Sequence, residues 1–326
     1  MDSQNNFIQK NYLDLKKINI ISPKNNIKNF AFNKIIFFIL LFILLSFIFI
    51  YRININKAPL IKLKEKIYFD KYEVNKYIEI KEKLLNTKCS LMGTNQREFL
   101  NGVIRKFKPR KLLEVGVYRG GSSIIILNAI NDIENSKLYS IDINEKTFIG
   151  ECVDKYFPEF KKNWKLYNGN IACEYLEEIG KNIDMAIIDT AHFEPGEILD
   201  FLMILPFLKE NAVVIFHDIG NQLRISDKRR EWAPYLIFNG IRGEKFLPSG
   251  NMILGHDIGA IVLENDQKKY YHDYFRLLGG QWQYFPNEIH IEKMRKFFKK
   301  YYDEDCVFMF DEASNFNRIF VKNHPM

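Results

Sequence analysis

One short stretch limits what this chain can fold into more than any other. Leu112 to Val117 is an apolar run, glycines follow at Gly116, Gly120 and Gly121, and an apolar helix from Ser122 to Ile130 starts at once. A buried strand that breaks on glycine into a helix brings free backbone N–H groups close to a nucleotide-like ligand. The acidic Glu114 sits inside this segment.

The residues that follow keep the same rhythm. Apolar runs predict strands at 111–117, 137–143, 183–189 and 212–217, with a weaker one near 165–168. Helical periodicity falls between them, at 121–132, 146–157, 171–180 and 194–209, and an amphipathic helix over Asn95 to Lys106 precedes the first strand. Alternating β and α with continuous apolar strands predicts an α/β fold: a doubly wound, mostly parallel sheet with helices on both faces. Two further strands fit 251–255 and 259–264. Residues 266–326 form an aromatic and basic C-terminal extension, which packs as a layer or walls a substrate.

The N-terminal part is of another kind. Residues 1–29 are polar and read as a disordered tail. Residues 30–51 contain an uncharged apolar run, Ile35 to Tyr51, with lysines on both flanks. Its length and all-round apolarity predict a transmembrane anchor, followed by a charged stem over 52–94. Flanking charge does not set the orientation, since residues 15–34 carry five Lys/Arg and 52–71 carry six.

Net charge is +7, but residues 1–66 hold eleven Lys/Arg against three Asp/Glu, and the other residues hold 36 basic and 37 acidic side chains. The globular part has no overall basic excess, so no nucleic-acid partner is expected. Cys89, Cys152, Cys173 and Cys306 are scattered without a CxxC pair. That spacing predicts reduced, buried thiols rather than a disulfide framework or zinc site.

From Gly116 the chain reads Gly-Val-Tyr-Arg-Gly-Gly, so Tyr118 stands where a dinucleotide fingerprint needs its middle glycine. Asp142, twenty-six residues past Gly116, ends the second strand, where an acid can accept from two ribose hydroxyls. A site that takes ribose but is poorly shaped for a diphosphate favours S-adenosyl-L-methionine (SAM) over a nicotinamide dinucleotide.

The run Glu114-Val-Gly-Val-Tyr-Arg-Gly-Gly-Ser-Ser123 resembles the first motif of class I SAM-dependent methyltransferases, in particular the catechol-O-methyltransferase-like branch and its bacterial relatives. The resemblance covers 95–265 and implies a Rossmann-like methyltransferase domain there. It places Glu114 near the methionine amino group, with Gly116, Tyr118 and Gly120 at the turn. Ser122 would meet the carboxylate, Asp142 the ribose and Asn170 the adenine.

The reacting end follows from strand order. The fourth strand ends at Asp189-Thr-Ala-His192 and the fifth at His217-Asp218. In that branch the acid at the Asp189 position binds a divalent metal, and the matching set here is Asp189, His217 and Asp218; the imidazole departs from an all-oxygen magnesium site, so either a different metal is used or none binds. His192, three residues on, falls where relatives carry a catalytic lysine, and an imidazole is a suitable general base for a hydroxyl proton. Residues 221–250 follow the fifth strand where an acceptor lid would sit.

The expectation is therefore a membrane-anchored SAM-dependent methyltransferase, its catalytic domain on the cytosolic side. It would act on the oxygen of a small-molecule, glycan or lipid-linked acceptor. A nicotinamide-dependent oxidoreductase and a non-catalytic tethered binding protein are the alternatives.

Overall fold

The computed structural model describes residues 80–87, 89–220, 232–248 and 257–323, all within the compact unit Ile61–Met326. The predicted anchor at 30–51 and the strand at 251–255 lie outside the described residues. Among the described residues, no helix is long and apolar enough to cross a membrane.

Seven strands form one sheet in the order β3-β2-β1-β4-β5-β7-β6. They are β1 (Lys111–Val115), β2 (Lys137–Asp142), β3 (Trp164–Asn168), β4 (Ile183–Ile188), β5 (Leu208–His217), β6 (Gly243–Phe246) and β7 (Ile258–Leu263). The pairs from β3 through β5 are parallel, and β7 runs antiparallel to both β5 and β6. This is a Rossmann-like α/β fold with a mostly parallel sheet.

The inner strands are continuous apolar runs because both of their faces are covered. β4 buries Ile183, Met185, Ala186, Ile187 and Ile188, whereas the edge strand β3 buries only Tyr167. On one face lie helix α1 (Thr94–Phe107), through Phe99, Leu100, Val103 and Ile104, and helix α2 (Gly121–Ile130), which is apolar all round and almost wholly buried. α1 ends at Lys108 in the left-handed conformation, just ahead of Pro109.

The helices between strands are shorter than periodicity predicted. The 146–157 segment is helical only as α3 (Glu151–Tyr156), and 171–180 divides into a 3-10 turn (Ala172–Glu174) and α4 (Leu176–Ile179). The 194–209 segment holds α5 (Gly196–Ile204), after a cis Glu194–Pro195 bond, and then passes into β5.

Helix α6 (Ala233–Gly240) and strand β6 occupy the segment read as a lid. The C-terminal layer contains α7 (Tyr271–Arg276), α8 (Glu288–Tyr301) and α9 (Glu304–Asn323). Its aromatics Tyr274, Phe275, Trp282, Phe298 and Phe310 join the core beside α5. A two-pronged ion pair, Arg295 to Asp311, links α8 and α9.

One expectation fails. Cys89 and Cys152 form a disulfide, while Cys173 and Cys306 are free and buried. The bridge ties the segment before α1 to α3 across 63 residues, a pairing that spacing alone could not reveal.

Candidate active site at the strand ends

The chain runs from β1 outward to β2 and β3, then crosses back to β4, so the order reverses between β1 and β4. Ligands of open α/β sheets bind in the crevice outside this switch point. Gly116 and Asp189 stand on its two sides. Gly116 has φ +90, and a Cβ there would lie 1.8 Å from the Asp189 carbonyl oxygen, so the turn can press against β4 only as glycine.

Asp142 holds the turn from below. Its Oδ2 accepts the backbone N–H groups of Val117 and Tyr118 at 3.0 Å each, and its Oδ1 accepts from the backbone and side-chain nitrogens of Asn144. A carboxylate has about four acceptor positions, and protein donors occupy these. Asp142 still lines the crevice, but its oxygens are turned into the loop.

Glu114 is fully buried and takes hydroxyl protons from Ser122, Ser123 and Ser140 at 2.6–2.7 Å. Burial pushes its carboxyl up to about 7 against the pull of the three hydroxyls. It lines neither cavity described below. Ser122 does reach the crevice, with its own proton committed to Glu114.

Two cavities open on the crevice. The larger, about 740 Å³, runs from Gly116 and Tyr118 past Asp142 to Asn170. The smaller, about 290 Å³, is walled by Cys89–Met92, Ser122, His192, His217 and Asp218. They share Gly116, Val117, Tyr118, Asp189 and Thr190. Tyr118 is 52 % exposed, with its ring edge-on to Phe148. Gly120 caps α2 and accepts the Ile124 N–H.

The four groups expected at the reacting end do converge. His217 Nδ1 lies 3.4 Å from Asp189 and 3.1 Å from Asp218, and His192 Nε2 lies 3.3 Å from Asp218 and 3.8 Å from Asp189. Burial opposes charge on both imidazoles, but the carboxylates win. His192 is raised to about 9 and His217 well above its ordinary value. Asp189 is held low, by His217 and His192, against the burial that would raise it. Tyr118, His192 and Asp218 all adopt left-handed backbone conformations, an uncommon state clustered around this crevice.

Asp189, His217 and Asp218 can point one ligand atom each to within 4.8 Å of the others. Both ring nitrogens of His217 are buried without a hydrogen bond of good geometry among the described residues. An unsatisfied imidazole between two carboxylates fits a divalent cation that accepts nitrogen as well as oxygen.

Two contributors carried no readable signal, and a third, the C-terminal extension, was expected either to pack as a layer or to wall a substrate. Glu197, on α5, is buried, and its Oε1 accepts both the His192 backbone N–H and the Nδ1 proton. The Cys89–Met92 strap crosses α2 so closely that a Cβ on Gly121 would meet the Cys89 carbonyl oxygen at 2.4 Å. From the C-terminal extension, Tyr284, Phe285, Asn287, His290 and Met294 line the large cavity. Asn170 lines it too, and its Oδ1 accepts from Lys293 of α8 at 2.7 Å.

Residues 113–219 match a family described as a methyltransferase domain. That match spans the motif at 114–123 and both strand ends at 189–192 and 217–218. No curated protein sequence matches. Solved structures that resemble it include an O-methyltransferase from Bacillus cereus in complex with SAH, at 16 % identity and TM-score 0.43, covering 58 % of this chain and 90 % of that one. Another is the O-methyltransferase TomG from Streptomyces achromogenes in complex with SAM (17 %, 0.42, 60 % and 91 %). A third is the SAH-bound methyltransferase PaMTH1 of Podospora anserina (14 %, 0.42, 60 % and 89 %).

Proposed function

We propose that this protein is a SAM-dependent methyltransferase that transfers a methyl group to an acceptor oxygen. One observation carries the reading. The large cavity and the small one meet at Gly116–Tyr118 and Asp189–Thr190, beside the imidazole and carboxylate cluster. A donor in the first and an acceptor in the second would bring their reacting atoms together there.

The large cavity, together with the α2 N-terminus and Ser122 on the wall of the small one, suits the donor. The α2 N-terminus offers backbone N–H groups to a methionine carboxylate. Ser122, whose proton goes to Glu114, offers a lone pair to the ammonium. Asn144 follows Asp142 on the same loop and is the nearby polar side chain left to meet the ribose. Ile143, Ile171, Phe285 and Met294 give apolar walls for a flat heterocycle.

SAM supplies a sulfonium methyl. The acceptor oxygen attacks it in line, the new O–CH₃ bond forms as the S–CH₃ bond breaks, and the pair stays on sulfur to give S-adenosylhomocysteine. His192 Nε2 takes the acceptor proton, and Glu197 keeps the other ring nitrogen protonated. Most of the rate comes from holding two reactants in line. A divalent cation held by Asp189, His217 and Asp218 would supply acidification of the acceptor hydroxyl.

A small-molecule acceptor accords with the 290 Å³ pocket. That the acceptor is lipid- or glycan-linked, and the domain tethered with its catalytic side cytosolic, is a finer proposal supported only by the apolar run 35–51. Alkaline extraction of native membranes tests the tether. Hydrogen–deuterium exchange tests the donor site. Added S-adenosylhomocysteine should slow exchange at 114–122, 141–149 and 284–294, and protection confined to other segments would count against it.

A further inference from the structure

Lys293 bonds to a polar side chain of the large cavity without lining that cavity itself. It reaches from α8 to Asn170, which lies just past the end of β3. Its Nζ donates to Asn170 Oδ1 at 2.7 Å and pairs with Glu174 at 2.9 Å. An ammonium has donors and no acceptor, so the contact fixes which end of the amide faces α8: the oxygen. Nδ2 makes no other hydrogen bond among the described residues. Asn170 therefore presents N–H donors, not a carbonyl, to the cavity it lines.

We propose that Lys293 is a positioning residue for the donor's heterocycle. It sets the Asn170 amide so that Nδ2 donates to a ring nitrogen of adenine, rather than accepting from the exocyclic amine. The inference rests on the reading of the large cavity as the SAM site. Asp142 takes the turn end of that cavity, which leaves Asn170 and the apolar walls Ile143, Ile171, Phe285 and Met294 for the base. The C-terminal extension is then part of base recognition, although Lys293 is 123 residues from its partner.

Adenine offers three ring acceptors, N1, N3 and N7. Replacing the one bonded to Asn170 by C–H removes a single hydrogen bond, and Lys293→Met leaves the amide free to turn. Lys300 is an internal control. It lies on the same helix, points to Glu177 and touches nothing in the cavity.

Calorimetry on the full chain measures S-adenosylhomocysteine and its 1-deaza, 3-deaza and 7-deaza analogues against wild type, Lys293→Met, Lys293→Arg and Lys300→Met. The wild type should bind one deaza analogue about 3- to 10-fold more weakly than the parent, the worth of one net hydrogen bond. Lys293→Met should weaken the parent and erase that preference, while Lys293→Arg and Lys300→Met keep it. The proposal fails if Lys293→Met retains the preference, if the wild type shows none, or if Lys293→Met weakens every analogue by the same factor. Failure of the wild type to bind S-adenosylhomocysteine at all would instead overturn the SAM reading beneath it.

Discussion

Glu197 Oε1 lies 3.1 Å from His192 Nδ1 and 2.7 Å from the His192 backbone nitrogen, so one carboxylate oxygen fixes both the ring and the loop that carries it. With Nδ1 donating to Glu197, Nε2 is the nitrogen turned towards Asp189 and Asp218. His192→Ala is expected to lower kcat by about 100- to 10,000-fold, the usual worth of a positioned base. Glu197→Gln should lower it by about 10- to 100-fold, as loss of a histidine-orienting partner does elsewhere. Neither change should alter the dissociation constant for S-adenosylhomocysteine more than a few-fold. Steady-state kinetics with calorimetry checks this, and equal losses in binding and turnover would make the pair structural.

The pH profile has a definite sign. His192 is raised to about 9 against burial, so its imidazole carries a proton at neutral pH and becomes a base as pH climbs. Turnover should rise through the neutral range towards about 9. His192, His217 and Asp189 titrate together, so the midpoint belongs to the cluster. Glu197→Gln removes a negative charge that favours the imidazolium and should move the rising limb to lower pH. A rate independent of pH between 6 and 9 would contradict the assignment of His192 as base.

The Cys89–Cys152 bridge holds the strap that walls the smaller cavity. Closing a loop of this length stabilises a fold by about 2–4 kcal/mol. The double change Cys89→Ser with Cys152→Ser should therefore lower the unfolding free energy by about that amount. Thiol titration of unreduced, denatured protein should find the two free cysteines, Cys173 and Cys306, and find all four after reduction. Four reactive thiols before reduction would exclude the bridge.

Local chemistry was legible in the sequence and distant pairing was not. The glycine turn, the Asp142 strand end and the Asp189–His192 and His217–Asp218 ends each depend on residues close in sequence, and strand alternation brings them to one edge of the sheet. What each carboxylate touches depends on neighbours no periodicity encodes. Asp142 is filled by Val117, Tyr118 and Asn144 donors, and Glu114 is enclosed by Ser122, Ser123 and Ser140. β6 was missed because Gly-Glu-Lys-Phe has too few apolar residues to read as a strand, and it forms by pairing with β7. The disulfide, Lys293 to Asn170 and Gln283 to Glu194 join elements far apart in the chain.

Stability should carry the mark of Asp200. Burial raises its carboxyl to about 7, the Thr190 hydroxyl opposing and Glu197 adding to the effect. A carboxyl held above its unfolded value keeps its proton in the fold and loses it in the unfolded chain. Stability therefore falls as pH rises from about 4 to about 7, and above that the cost of the charge is complete. Asp200→Asn keeps an acceptor for Thr190 and carries no such charge. Its melting temperature should gain on the wild type as pH climbs from 4 to 8. Parallel melting curves across that range would show that Asp200 ionises freely in the fold.

Calorimetric titration of the full chain with S-adenosylhomocysteine, and separately with NADH, tests the central claim most directly. One saturable site is expected for S-adenosylhomocysteine and none for NADH, because Tyr118 stands where a dinucleotide turn needs its middle glycine. No binding of S-adenosylhomocysteine, or NADH binding of equal strength, would contradict it.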